Sequence, residues 1–298
     1  MKVGYACINT SIKENFRTCR VATVEKKGPE ILKELTIENL KLTKHIIEWN
    51  IDHGIKFYRM TSEMVVLATH PINPWDWRND PDVIEICSEI KALRDVHGLR
   101  ISTHPGQYSV LNSPNPGVVD RTIADLDYHA ALSELTGAQD MILHLGGKYG
   151  DPDAALDRLV NEARALPDRI LSRLRFENDD RTYNLGDVLA VCEATGVPAC
   201  FDIHHHRCNP AAASLDMLLP RVWKSWERVG TPKVHISSGR DRPDDRPHHN
   251  YILPEDLDWL LDELDGQDAD IMVEAKMKEQ AALGVIRMLR ERGIPVDS

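Results

Sequence analysis

Histidine and carboxylate residues recur in this chain at one kind of place, the end of a short apolar run. His104, His144, Glu177, Asp202, His235 and Glu274 all stand there, with His205 three residues beyond Asp202. Imidazole nitrogen and carboxylate oxygen together are the donors that hold borderline and hard divalent cations such as Zn²⁺ or Mn²⁺. The densest stretch is Phe201-Asp202-Ile203-His204-His205-His206, entered through Gly196 and Pro198. Its apolar start reads as a buried parallel strand. Its end places a carboxylate and three imidazoles where a core accepts them only with partners. This reading puts Asp202 at the strand end and His205 in the following loop. His70 and His248 fall in the loops after the second and seventh strand candidates. His45, His53, His97 and His129 lie on helical segments or their ends, where a histidine is solvated or caps the helix. The cysteines, Cys7, Cys19, Cys87, Cys192, Cys200 and Cys208, are scattered with no CxxC pair. A closed, cysteine-rich structural zinc site is therefore not expected, and an open polynuclear site is.

Lys233 stands out among these residues. It lies two positions before His235, on the same strand face, where an ammonium would be repelled by divalent cations. Two readings fit: the amine reaches past the metals to a phosphate, or CO₂ converts it to an acidic carbamate ligand.

The elements that must position these groups alternate regularly. Strand candidates are Val3–Asn9, Lys56–Met60, Arg100–Thr103, Asp140–Leu143, Leu174–Phe176, Ala199–Ile203, Lys233–Ile236 and Asp270–Val273. Helical periodicity follows over Thr36–His53, Asp82–His97, Val118–Thr136, Pro152–Leu166, Asn184–Thr195, Leu215–Val229, Pro254–Leu264 and Glu279–Arg292. Glycines, among them Gly98, Gly137 and Gly196, close helices just before strands, as left-handed caps do. Eight strand–helix units predict an α/β chain folded as one (β/α)₈ TIM barrel spanning residues 1–298, with its active site at the C-terminal strand ends. A doubly wound sheet is disfavoured because no GxGxxG follows any strand. The long segments without clear periodicity, 10–35, 62–81, 104–117 and 237–251, all follow strands, on the face where barrels build sites.

The hydrophobic fraction of 42% and charged fraction of 28% are those of an ordinary globular protein. No apolar run is long enough to span a membrane, and Met1-Lys2-Val3-Gly4-Tyr5 opens into a strand rather than a signal peptide, so a cytoplasmic protein is expected. The net charge of −11 argues by itself against nucleic-acid binding. That objection weakens if the site holds several divalent cations, which are the largest local charges where they bind.

Taken as a set, His104-Pro105-Gly106-Gln107-Tyr108, Phe176-Glu177-Asn178-Asp179, Asp202-Ile203-His204-His205 and Lys233-Val234-His235 resemble the UV damage endonucleases, metal-dependent barrel nucleases related to endonuclease IV. The likeness runs from Val3-Gly4-Tyr5 to Val273-Glu274-Ala275-Lys276, essentially the whole chain. It implies incision of double-stranded DNA 5′ to UV photoproducts (cyclobutane pyrimidine dimers, 6-4 photoproducts and, by extension, abasic sites), leaving a 3′-hydroxyl and a 5′-phosphate. It implies His104, His144 and Glu177 as ligands of a first metal, and Glu177, Asp202, His235 and Glu274 around a second. His205 and His248 would hold a third, with Lys233 at the family's modified-lysine position. His70 matches an active-site histidine. Gln107 and Tyr108 match the residues the family pushes into the duplex, and Tyr5 and Asn9 are carried over as DNA contacts. The likeness points to Mn²⁺, up to three per chain, with Zn²⁺, Co²⁺ and Mg²⁺ as the other candidates.

The physical logic agrees. Hydrolysing a phosphodiester at neutral pH needs an activated hydroxide and cations that stabilise developing charge. A lesion that weakens stacking lowers the cost of extruding it. Arg17, Arg20, Lys148, Arg207 and Arg240 are candidate rim cations, and the open DNA face makes a monomer the expectation. The main rival is a divalent-metal sugar isomerase of the same barrel class, which would need fewer histidines and has no use for an exposed Gln107-Tyr108. A lesion-binding protein without catalysis is the rival from outside enzymology.

Overall fold

The computed structural model describes residues 1–297. Eight short strands form its centre: β1 (Val3–Ala6), β2 (Phe57–Arg59), β3 (Arg100–Thr103), β4 (Asp140–His144), β5 (Leu174–Glu177), β6 (Ala199–Asp202), β7 (Lys233–Ile236) and β8 (Asp270–Val273). They pair in sequence order, all parallel, and β8 closes on β1. Nearly every strand residue is buried, as expected where helices cover the outer face and side chains fill the inside. The β1 and β2 backbones approach so closely that a Cβ on Gly4 would stand 2.0 Å from the Phe57 carbonyl oxygen, and only glycine fits there. The expected (β/α)₈ barrel is the fold observed.

Around the barrel run α1 (Val21–Lys27), α2 (Glu30–Asp52), α3 (Pro81–His97), α4 (Pro116–Thr136), α5 (Pro152–Ala165), α6 (Asp168–Leu171), α7 (Leu185–Thr195), α8 (Ile203–Cys208), α9 (Leu215–Trp226), α10 (Pro254–Leu264) and α11 (Lys278–Glu291). Starts of α3, α4 and α5 are set locally: Asp80, Asn115 and Asp151 accept first-turn N–H groups, and a proline follows each. Three expectations need correction. Segment 10–35 is partly helical, because Leu32 and Leu35 on an early start of α2 bury against Val24 of α1 and Val66. The first strand stops at Ala6, since Cys7 turns the chain at φ 67°. His205 is not in a loop but on α8, a short helix whose N-cap is Asp202.

The N-terminal end of the barrel is closed by buried charge. Arg100 Nε donates to Asp140 Oδ2 (2.8 Å) and its Nη1 to Asp270 Oδ2 (2.9 Å), while Arg175 Nε donates to Asp140 Oδ1 (3.0 Å). Further donors of both arginines reach backbone carbonyls, so the floor is fully paired.

His129, expected to be solvated or to cap its helix, is instead fully buried on α4 with neither ring nitrogen hydrogen-bonded. Burial, reinforced by the neighbouring His104, pushes its pKa down to about 3. An unfolded imidazole titrates near 6.5, so below that pH the unfolded chain takes up a proton that the folded one refuses. Stability is therefore lost as pH falls from about 6.5 towards about 3. Between pH 8 and pH 5, His129→Leu should lose less stability than the parent by on the order of 2 kcal/mol in urea unfolding. Identical losses in the two proteins would exclude His129 as a source of acid sensitivity.

Candidate metal centre

At the other end of the barrel carboxylates face mostly imidazoles. Glu177 ends β5, is 1% exposed, and has four imidazoles around its carboxylate. His235 Nδ1 lies 2.5 Å from Oε1, and His104 Nε2 and His144 Nε2 lie 3.3 and 3.5 Å from Oε2. His205 Nδ1 is 3.9 Å from Oε1. Strand register creates this crowding, because His144 pairs with Glu177 across β4–β5 and Asp202 with His235 across β6–β7. Asn178 ties the ends of β5 and β6 together, donating from Nδ2 to Asp202 O (2.8 Å) and accepting Asp202 N–H (2.9 Å). Asp202 in turn accepts the His205 N–H at 2.7 Å, so one carboxylate starts α8 and orients His205.

Burial raises the Glu177 carboxyl, but His235, His144 and the hydrogen bond with His104 outweigh it and hold the group well below the usual carboxylate range. Burial pushes His104 down to about 4, leaving its imidazole neutral. His205 behaves oppositely: burial opposes its proton, but Asp202, Glu177 and Glu274 raise it to about 9. Glu274, after β8, is also held well below its usual range, because Arg59 and His235 outweigh its burial.

These residues fit a metal centre. Ligand atoms of His104, His144 and Glu177, of Glu177, Cys200 and His235, and of Glu177, Asp202 and His205 form three groups, each with all atoms within 4.8 Å of one another. Two donors bound to one ion at about 2.1 Å stand about 3.0–3.5 Å apart, matching His104 and His144 against Glu177 at 3.3 and 3.5 Å. Asp202 Oδ2 is buried with no hydrogen-bond partner, a costly state that a cation held by this donor group would relieve. His104 Nδ1 faces the Pro105 carbonyl at 2.9 Å, the outer contact that leaves Nε2 free to ligate.

The structure thus gathers His104, His144, Glu177, Asp202, His205 and His235, with Glu274 beside them. It does not bring His248 into these groups: its ring stands edge-on to that of His204, 5.8 Å away. His70 is exposed on the loop after β2, where its Nδ1 accepts the Ile72 N–H. Tyr5 and Asn9, expected to touch DNA, are buried. The Tyr5 hydroxyl bonds Asn50 and Asn9, and Asn9 Oδ1 accepts the N–H groups of Ser11 and Ile12. They shape the first loop from inside. Lys233 is fully buried, with Nζ 3.2 Å from Ser102 Oγ and over the Phe57 ring, so its reading as a reach to phosphate fails. Arg207 is no free rim cation, being bonded to Asp256 and stacked on Trp259. Cys200 and Arg59 were missed, and their only signal was position at or near a strand end.

Gln107 and Tyr108 occupy the exposed tip of a turn closed by Ser109 N–H on Gly106 O (2.9 Å), and Tyr108 is 84% exposed. Ser109 Oγ bonds Asp125 of α4 at 2.5 Å, and Thr122 Oγ1 bonds the Val110 N–H, fixing the turn's base. Beside it lies a cavity of about 400 Å³ that reaches His104, His144 and His205.

A family model described as UV-endonuclease UvdE matches residues 1–295. The chain belongs to this UV-endonuclease family. Within it, the chain is 37% identical over 283 residues to the UV DNA damage endonuclease of Bacillus velezensis, spanning 92% of this chain and 86% of the relative. The Bacillus pumilus UV DNA damage endonuclease is 36% identical over 277 residues, or 89% and 84%. The crystal structure of SacUVDE superposes with a TM-score of 0.91 at 32% identity, covering 99% of this chain and all of that one. Endonuclease IV from Thermus thermophilus (TM-score 0.58, 18% identity, 83% of this chain and 93% of that one) shares the barrel, as does the D-psicose 3-epimerase of Clostridium cellulolyticum (0.56, 12%, 84% and 93%). At those identities the shared feature is the fold.

Mn²⁺ or Zn²⁺ added to chelator-stripped protein should raise its melting temperature, by the equivalent of about 2.7 kcal/mol at a hundredfold excess over Kd. Since Glu177 belongs to all three donor groups, Glu177→Gln should abolish most of the rise. An equal rise in that variant would place the ion elsewhere.

Proposed function

We propose that this chain is a metal-dependent endonuclease that nicks double-stranded DNA immediately 5′ to UV photoproducts, leaving a 3′-hydroxyl and a 5′-phosphate. Cyclobutane pyrimidine dimers and 6-4 photoproducts are its substrates, with abasic sites a further one. The observation that carries this reading is the Glu177-centred donor set at an open barrel mouth, beside the exposed Gln107–Tyr108 turn, in a chain of the UV-endonuclease family.

His104, His144 and Glu177 would hold one divalent cation, and Glu177, Asp202, His235 and Glu274 a second. His205 would help hold a third, with His248 drawn in from the neighbouring loop. Bound there, the ions (Mn²⁺ by family likeness) would supply a hydroxide nucleophile near neutral pH and positive charge against the phosphate. The protein's own part is placement. Glu177 keeps its charge inside the barrel because imidazoles surround it, and the Asp125 and Thr122 contacts present Gln107 and Tyr108 as a rigid wedge to a weakened stack. His70 sits on the same side, in the loop after β2. Carboxylation of Lys233 belongs to this reading: its amine attacks CO₂, a proton leaves, and the carbamate gives an anion beside His235. Intact mass higher by one CO₂ would reveal it. The mouth stays open in a monomer acting in the cytoplasm.

The deciding assay uses an end-labelled duplex with one cyclobutane dimer. Wild-type protein should make a single nick 5′ to the dimer, lost on chelation, restored by Mn²⁺ and absent in Glu177→Gln. Lesion binding without a nick would instead indicate a recognition protein, and neither would point to sugar substrates. Tyr108→Ala should keep its stability, because the ring is exposed, but lose about 1–3 kcal/mol of lesion affinity. Unchanged affinity would remove Tyr108 from recognition.

A further inference from the structure

Arg59 is the last residue of β2 and a cation among the acids and imidazoles of the mouth. Its side chain is 12% exposed and lines a cavity of about 260 Å³ together with His104, His144, Glu177, His205 and Glu274. Nη1 donates to Glu274 Oε1 at 2.5 Å, and the side chain makes no other hydrogen bond among the described residues. Nε is buried without a partner.

The arginines of the barrel floor provide an internal comparison. Arg100 and Arg175 also sit inside the barrel, but their donors are spread over Asp140, Asp270 and backbone carbonyls. Neither floor arginine keeps a buried donor without a partner, and Arg59 does. A guanidinium has five N–H donors in a fork that matches two oxygens of a phosphate. Glu274 balances that charge through Nη1 alone, which leaves donors for a second anion, and the anion this site receives is a phosphodiester. The charge on that phosphate increases in the transition state, where donors already aimed at it are most effective.

We propose that Arg59 is a catalytic residue that stays anchored to Glu274 through Nη1 and offers its remaining N–H groups to the non-bridging oxygens of the phosphate being cut. This rests on the nuclease reading above.

The test loads wild type, Arg59→Met and Arg59→Lys with Mn²⁺ and measures metal per chain, melting temperature and single-turnover nicking of the dimer duplex. It also measures binding of the same duplex with a neutral methylphosphonate at the scissile position. Arg59→Met should keep its metal and its affinity for the methylphosphonate duplex but nick about 10²–10³-fold more slowly, as when one transition-state donor is removed. Arg59→Lys, which keeps the charge but not the fork, should recover only part of that loss and covers the case in which the methionine variant does not fold. Either variant nicking at the wild-type rate overturns the proposal. So does a rate restored by excess Mn²⁺, which would make Arg59 a counter-ion of Glu274. Wild type that fails to nick would overturn the nuclease reading itself, and the role of Arg59 with it.

Discussion

A fully buried carboxylate has to be compensated, and in this barrel that requirement falls on Glu177. Leaving an anion of that depth unpaired would cost several kcal/mol, so the surrounding chain is arranged to supply positive or polar partners. Four imidazoles, one just after β3 and the others from β4, α8 and β7, turn towards it. Two of them are held by second contacts, His104 by Pro105 O and His205 by Asn178 O. Asn178 bridges the ends of β5 and β6, and Asp202 spends one oxygen capping α8. The shapes of four strand ends and one short helix depend on satisfying one side chain.

The barrel buries charge at both ends but settles it differently. At the floor, Arg100, Arg175, Asp140 and Asp270 close a network of paired charges with no buried side-chain donor or acceptor left over. At the mouth, carboxylates face mostly imidazoles, and His144, Asp202, His235 and Arg59 keep buried atoms without partners. A saturated network stabilises; an unsaturated one is a place prepared for a ligand. This asymmetry also answers the objection from net charge. A chain of net charge −11 can engage a polyanion when the contact is concentrated where cations collect.

Sugar epimerases share this architecture, so the barrel by itself says little about substrate. What departs from a small-molecule pocket is the loop between β3 and α4. A buried base, made by Ser109 on Asp125 and Val110 on Thr122, carries an exposed tip with Tyr108 almost wholly in solvent. An enclosed sugar site has no use for an aromatic ring held outward.

The sequence alone was sufficient for the architecture and for most of the donors. Helix periods, proline-led caps and glycine stops are local signals, and eight repeats of them admit few closures other than the one seen. His104, His144, Glu177, Asp202 and His235 were legible because strand ends of a barrel converge whatever its details. Which way a side chain faces was not legible where it depends on closure. Arg59 meets Glu274 across 215 residues only because β8 returns to β1, and nothing near either residue announces it. Tyr5 and Asn9 turn inward because Asn50 of α2 packs against the start of the barrel. His129 is buried and His205 is helical for the same kind of reason: an adjoining element or a capping carboxylate decides the environment of a residue whose own neighbours in sequence are neutral on the point. Local chemistry set the elements and their order; packing between distant segments decided which of the polar groups became the site.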